Sequence, residues 1–228
     1  DRVTARPGQL AHHLLERFAK DPLGTTDWTA AWTEAEHVAV RVVNELVDEA
    51  PFDEPAVIRS LDRSLPEAVE LVVGNSMPIR DVDAFLPVDE RRWSIRGNRG
   101  ANGIDGNIAT LLGSARFAPA TAHVGLIGDL AALHDIGSLI TQTAHAPNVT
   151  IIIIDNGGGN IFSHLPISQH TEAFERRFLT PPSVDLNQVL KGLPISYQSV
   201  ETPGELSHAI QEELEREAFS LLRIKVDR

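Results

Sequence analysis

Val149-Thr150-Ile151-Ile152-Ile153-Ile154-Asp155-Asn156-Gly157-Gly158-Gly159 is the stretch that decides the fold of this chain. An almost wholly apolar, β-branched run stops at an acid, an amide and three glycines. It has no polar alternate to face water, so it reads as a short strand buried on both faces. Working outward, Val124 to Ile127 stops at Gly128-Asp129-Leu130, and Leu71-Val72-Val73 stops at Gly74-Asn75-Ser76. Trp93-Ser94-Ile95 precedes a Gly-rich loop and a helical pattern from Ile104 to Phe117. Ile195 to Val200 and Ser220 to Val226 complete the strands, with helical patterns through Ile140 and through Leu206 and Ile210 between them. Near-continuous apolar strands alternating with helices predict an α/β fold, a parallel sheet with helices on both faces, from about residue 66 to the end.

The first third predicts an all-helical lead-in. Leu10, Leu14, Leu15 and Phe18 share a face over 8–20, Val38, Val42, Val43 and Leu46 do so over 30–49, and a shorter helical stretch closes at Ser64-Leu65-Pro66. Composition removes several functions. The chain has 228 residues, 20 Lys and Arg against 32 Asp and Glu, and a net charge of −12, which argues against nucleic acid or an anionic membrane as partner. With no cysteine there is no disulfide framework, zinc thiolate site or thiol nucleophile. The longest apolar runs are four residues, so no transmembrane segment is expected. The amino end starts at Asp1 without a signal or transit pattern, which suits a cytoplasmic address and a piece trimmed from a longer chain. No Gly-x-Ser-x-Gly elbow and no P-loop occurs. The nine histidines have no metal-ligand spacing; His12 and His13 read as surface residues, and His134, His164 and His170 receive no role.

Ligands of parallel sheets bind beyond the carboxyl ends of the strands. Asp129, taken alone, suits a simple helix N-cap as well as a cation ligand beside a phosphate. Asn156, in a glycine-rich turn, lies 27 residues further on. One strand-helix-strand unit of that length sets neighbouring strand ends side by side, so the Asp129 carboxylate, the Asn156 amide oxygen and a loop carbonyl, at Gly158, converge. Hard oxygen ligands of this kind suit Mg²⁺, with Mn²⁺ a possible substitute.

The pairing resembles the thiamin diphosphate signature, Gly-Asp-Gly followed later by Asn-Asn, with Leu130 in place of the last glycine and Asp155 in place of the first asparagine. Four blocks in one order make the resemblance more specific: Gly74-Asn75-Ser76-Met77-Pro78-Ile79-Arg80-Asp81; Asn98-Arg99-Gly100-Ala101-Asn102-Gly103-Ile104-Asp105-Gly106; Gly128-Asp129-Leu130 with Leu133-His134-Asp135; and Gly158-Gly159-Asn160-Ile161-Phe162-Ser163-His164-Leu165-Pro166. Together they resemble the MenD family, the 2-succinyl-5-enolpyruvyl-6-hydroxy-3-cyclohexene-1-carboxylate synthases, strongly over about residues 70–166 and weakly beyond. In that family leucine after Gly-Asp is usual.

The resemblance implies a transferase using thiamin diphosphate and Mg²⁺ in menaquinone biosynthesis. It decarboxylates 2-oxoglutarate and adds the resulting succinyl carbanion to isochorismate. It further implies that Arg80 and Arg99 bind carboxylates of these small dicarboxylates, where an Arg fork matches the anion. Ser76, Ile161, Phe162 and Leu165 join them as substrate contacts. Asn75, Ile104, Gly128, Asp129, Leu130 and Asn156 are implied on the cofactor side, Ile104 as the wedge that bends the cofactor. Arg91 and Arg92, although beside Arg96 and Arg99, read as a solvated, salt-bridged strand surface. The activating Glu is expected outside this chain, in the amino-terminal pyrimidine-binding domain of a neighbouring subunit, so a homodimer or homotetramer is implied. On this view residues 1–25 are a remnant of the preceding central domain or a linker, 26–228 are the diphosphate-binding domain, and the isolated chain is inactive. The alternatives are another thiamin-dependent 2-oxo acid decarboxylase or carboligase, and a non-catalytic α/β binding module.

Overall fold

The computed structural model describes residues 7–20, 26–88, 90–98, 100–101, 103–142 and 148–226. Six parallel strands form one sheet: β1 (Ala68–Val73), β2 (Arg92–Gly97), β3 (His123–Gly128), β4 (Val149–Asp155), β5 (Ser196–Val200) and β6 (Phe219–Lys225), in the order β2-β1-β3-β4-β6-β5. All seven residues of β4 are buried, as its sequence predicts, because this strand sits inside the sheet with helices over both faces. Its pairing with β3 runs from His123 opposite Val149 to Gly128 opposite Ile154, which sets Asp129 and Asn156 just past two adjacent strand ends.

Helices are α1 (Pro7–Lys20), α2 (Asp27–Glu49), α3 (Glu54–Ser64), α4 (Met77–Phe85), α5 (Asn107–Phe117), α6 (Asp129–His134), α7 (Ile136–Gln142), α8 (Thr171–Phe174), α9 (Leu186–Lys191) and α10 (Pro203–Arg216). The period of two along each strand divides the core into two layers. Val69, Leu71 and Val73 of β1 and Ile152 and Ile154 of β4 pack with Ile58 and Leu61 of α3 and Leu206 and Ile210 of α10. On the other face Ile151 and Ile153 meet Ile108 and Leu111 of α5, Leu139 of α7 and Leu190 of α9. The chain steps from β1 outward to β2 through α4, then back past β1 to β3 through α5. Right-handed crossovers in opposite directions place their helices on opposite faces. The reversal makes the crevice between the ends of β1 and β3 a topological switch point, where ligands of such sheets bind.

Two details differ from the sequence expectation. The helical pattern through Ile140 is broken into α6 and α7 at Asp135, whose carboxylate accepts the Ala109 N–H at 3.0 Å and the Ser138 hydroxyl at 2.6 Å. The short helix ending near Ser64 is not part of a lead-in: α3 belongs to the α/β layers, with Val57, Ile58 and Leu61 fully buried. It is started by Asp53, which accepts the Ala56 N–H at 3.0 Å.

The chain divides into two compact units, one through Leu46 and one from Val47 onward. In the first, α1 is amphipathic as its sequence predicts, and the Trp28 and Trp32 rings lie 5.9 Å apart on α2. Among the described residues no helix is long and apolar enough to cross a membrane.

Packing α4 against α3 buries two acids together. Asp81 is 3% exposed and its carboxyl is pushed up to about 8, first by burial, then by the hydrogen bond to Glu54 and the charge of Glu54, with Arg80 opposing. A carboxyl whose folded pKa is raised disfavours the folded state as pH climbs from the unfolded value through the folded one. The unfolding midpoint of cofactor-free protein is therefore expected to fall between about pH 5 and about pH 8. Asp81→Asn, which donates to Glu54 at any pH, is expected to exceed the parent by on the order of 2 kcal/mol at about pH 8 and to lose that advantage at about pH 5. Denaturant unfolding of both proteins across this range checks it; parallel curves contradict it. In the same assay Ile152→Ala is expected to cost about 2 to 5 kcal/mol at every pH, and a smaller loss would mean that the β4 core collapses around the deletion.

Candidate functional site at the strand ends

Three strand ends and a long connection meet in a cavity of about 520 Å³ at the switch point. Asn75, Ser76 and Arg80 come from the end of β1 and the start of α4; Gly128, Asp129 and Leu130 follow β3; Asn156 and Gly158 follow β4; Ile161 and Phe162 come next, and Ile104 enters from the loop before α5. Segments read separately in the sequence thus line one pocket. Leu165 is not brought in with them and is 49% exposed. Arg99 lies outside the described residues. A larger open groove of about 750 Å³ runs along β2, between Ile79, Leu86, Trp93 and Ile95, and among the described residues shares only Arg80 with this pocket and none of its acids or amides.

Asp129 is the first residue of α6, not its N-cap, which is Gly128 without a side-chain bond. Its carboxylate is 2% exposed. Oδ1 accepts the Leu130 N–H at 2.6 Å, and Oδ2 accepts the Gly158 N–H at 2.7 Å, tying the end of β3 to the turn after β4. Burial pushes this carboxyl up to about 6, against the pull of those amide bonds, and Asp155 adds to the rise. Asp155 itself is neutralised by Arg223, at 2.8 Å from Nε, and by Lys225 at 3.8 Å. The acid that replaces asparagine at position 155 is therefore part of an ion pair within the sheet.

Asn156 is also buried, and its amide nitrogen donates to Glu54 Oε1 at 2.5 Å. The Gly158 carbonyl accepts the Asn160 N–H at 2.8 Å. Gly158 has φ +131°, a region that L side chains rarely adopt, and a Cβ there would run into the Leu179 carbonyl. Only glycine lets this turn close onto the segment behind it, where Gly159 N–H donates to Leu179 O at 2.7 Å. Ser76 adopts φ 77°, strained for a residue with a side chain, and its carbonyl accepts from Arg80 at 2.6 Å. Strain of this kind collects at functional sites, where the surroundings hold it. Asn75 donates to Gly103 O at 2.7 Å and Asn107 to Ile104 O at 3.0 Å, so two amides fix the backbone that presents Ile104.

Arg91 is salt-bridged as its reading expects, to Asp62, but it is half-buried rather than solvated and stacks 4.2 Å above the Trp93 ring. A π-helical turn and one buried acid escaped the sequence reading. Arg177 and Phe178 line the pocket from a single π-helical turn, Glu175–Leu179, closed by Thr180 N–H to Glu175 O at 3.0 Å. Phe178 meets Phe162 edge to face at 5.5 Å. The available signal was a cation and an aromatic adjoining in a connection too long to be idle. Glu54 is the other, and no local pattern marks it.

The pocket can therefore receive an anionic ligand that brings a cation with it. Buried oxygens of Asp129 and Asn156 stand on adjacent strand ends, a guanidinium stands at Arg80, and an apolar wall faces them. Residues 83–224 match the family described as thiamine pyrophosphate enzyme, C-terminal TPP binding domain. A 2-succinyl-5-enolpyruvyl-6-hydroxy-3-cyclohexene-1-carboxylate synthase of Oceanobacillus iheyensis is 34% identical over 224 residues, 98% of this chain and 38% of the relative. The synthase of the same name from Myxococcus xanthus is 38% identical over 209 residues, 90% of this chain and 35% of the relative. The chain thus spans well under half the length of these curated relatives. Among solved structures, the thiamine diphosphate-dependent 4-hydroxybenzoylformate decarboxylase of Rhodococcus jostii superposes with a TM-score of 0.65 at 19% identity, over 78% of this chain and 33% of that one. Benzoylformate decarboxylase of Polynucleobacter necessarius gives 0.63 at 17% identity, over 76% and 33%. On the match over most of its length, this chain belongs to the thiamine pyrophosphate enzyme family, as a C-terminal TPP-binding domain.

Proposed function

We propose that this chain is the diphosphate-binding portion of a 2-succinyl-5-enolpyruvyl-6-hydroxy-3-cyclohexene-1-carboxylate synthase, which decarboxylates 2-oxoglutarate and joins the remaining four-carbon unit to isochorismate in menaquinone biosynthesis. The observation that carries this is the single pocket shared by Arg80, Ile104, Asp129 and Phe162, one from each of the four sequence blocks, together with Asn156. The names and coverage of the curated relatives support it. Catalysis then takes place in the cytoplasm, in a homodimer or homotetramer whose neighbouring subunit contributes a pyrimidine-binding domain and the activating Glu. Residues 1–25 are on this proposal the end of a preceding domain or linker, and 26–228 form the diphosphate-binding domain.

The residues present fit Mg²⁺ held against a diphosphate. Among the described residues no three His, Cys, Asp or Glu side chains gather as a metal cluster, so the protein's share is small: the Asp129 carboxylate, the Asn156 amide oxygen and the Gly158 carbonyl. Phosphate oxygens and water complete a hard-oxygen shell. The buried carboxyl of Asp129, raised to about 6, is where a divalent cation lowers the energy of the charged form. Thiamin diphosphate, when bound, supplies the nucleophilic carbon and the electron sink for decarboxylation and carbon–carbon bond formation. The chain's own residues bind and orient. The Gly128 and Leu130 backbone and Asn75 edge the diphosphate, Ile104 presses on the cofactor's body from its clamped loop, Arg80 and Arg99 fork onto substrate carboxylates, and Ser76 adds a polar contact. Ile161 and Phe162 exclude water from the reacting face.

Calorimetric titration of the complete protein with thiamin diphosphate is expected to show Mg²⁺-dependent binding that Asp129→Ala abolishes; unchanged binding in the variant would remove the proposed metal site. Arg80→Lys is expected to raise the KM for 2-oxoglutarate or isochorismate by about tenfold or more, the loss of a forked ion pair, with cofactor affinity unchanged. Turnover of pyruvate or benzoylformate in preference to 2-oxoglutarate would contradict the assignment.

A further inference from the structure

We infer that Glu54 is a positioning residue for Asn156, whose amide it holds by the NH₂ group so that the oxygen is the side presented to the metal. The inference deepens the metal site just proposed and rests on it. Glu54 opens α3, yet it is 7% exposed, in a place where an acid ordinarily faces water. Helix capping does not account for its burial, because Asp53 already accepts the Ala56 N–H at 3.0 Å. Its partner lies 102 residues away: Asn156 Nδ2 donates to Glu54 Oε1 at 2.5 Å. Glu54 Oε1 is the acceptor in this bond, so it is the NH₂ side of the amide that faces it. The amide is planar, and its oxygen is thereby set on the opposite side.

The rest of the residue is fixed as well. Asp155 continues the β4 ladder opposite Lys225 and is held by Arg223, so the backbone enters Asn156 in one direction. Asp81 is hydrogen-bonded to Glu54, which ties that carboxyl group to α4 as well. Loss of Glu54 removes the acceptor that selects the NH₂ side, and an amide turned to offer that group cannot coordinate a cation. Ligand orientation by an outer hydrogen bond commonly changes metal affinity about 10- to 100-fold.

The test is an Mg²⁺ titration of the complete protein at fixed thiamin diphosphate, read as cofactor binding by calorimetry, with thermal midpoints taken in the absence of both. Glu54→Gln keeps an accepting oxygen, and Glu54→Met keeps the length without it. The expected result is a half-saturating Mg²⁺ concentration about 10- to 100-fold higher for Glu54→Met and within about threefold of the parent for Glu54→Gln. Should Glu54→Met be unfolded before loading, Glu54→Asp, which withdraws the acceptor by one methylene, is expected to show the same rise. Equal Mg²⁺ dependence in the parent and in Glu54→Met or Glu54→Asp, while Asp129→Ala fails to bind, overturns the role of Glu54 alone. Equal losses in Glu54→Gln and Glu54→Met overturn it also, since the accepting atom would then be irrelevant. A parent that binds no cofactor, or an Asp129→Ala variant that binds as the parent does, overturns the metal site and this inference together.

Discussion

The hydrogen bond from Gly158 N–H to the Asp129 carboxylate, 2.7 Å and buried, is the constraint on which the rest of the site depends. Parallel pairing of β3 with β4 brings the two strand ends together, and this bond, with a second from the Gly157 backbone, fastens the turn after β4 to the start of α6. From there the geometry spreads. Gly158 is pressed against Leu179, so the π-helical turn that carries Arg177 and Phe178 is set by the same contact. Phe178 in turn meets Phe162, closing the apolar wall. A carboxylate buried this deeply is costly unless amide donors or a cation meet it, and the local fold supplies the donors in advance.

Charge explains why the site suits a cation in an acidic protein. Asp129, Asp155, Glu54 and Asp81 are all buried near the strand ends. Arg223 and Lys225 answer Asp155, whereas Glu54 and Asp81 share their burden with each other. Asp129 is met instead by backbone amides, in the same pocket that Arg80 lines. A ligand combining a divalent cation, a diphosphate and a carboxylate-bearing partner matches this arrangement. A polyanion in bulk does not, which agrees with the net charge of −12.

Much of this was legible in the sequence because parallel strands buried on both faces leave unbroken apolar runs. β1, β3 and β4 were visible for that reason, and with them the strand ends and Asp129, Asn156 and Arg80. Less visible were features made by tertiary contact. The break between α6 and α7 depends on what Asp135 accepts from α5. The connection from Asn160 to Thr180 is built of short 3₁₀ and π turns and the four-residue α8, which have no periodic apolar signature, so Arg177 and Phe178 went unnoticed. Glu54 sits in an ordinary helix start, and nothing in its neighbours indicates an amide 102 residues away. Leu165, by contrast, looked like a pocket residue because it shares a block with Ile161 and Phe162, yet the 3₁₀ turns carry it outward.

The central claim is that one carboxylate and one oriented amide, at adjacent strand ends, hold the cation that anchors the cofactor. Crystals of the complete protein with thiamin diphosphate and Mn²⁺, measured for anomalous scattering, test it most directly. A single metal peak is expected at about 2.0 to 2.4 Å from an Asp129 carboxylate oxygen, the Asn156 amide oxygen and the Gly158 carbonyl, with the Asn156 nitrogen still on Glu54. A metal bound elsewhere, or one whose shell omits Asp129 or Asn156, would contradict the account.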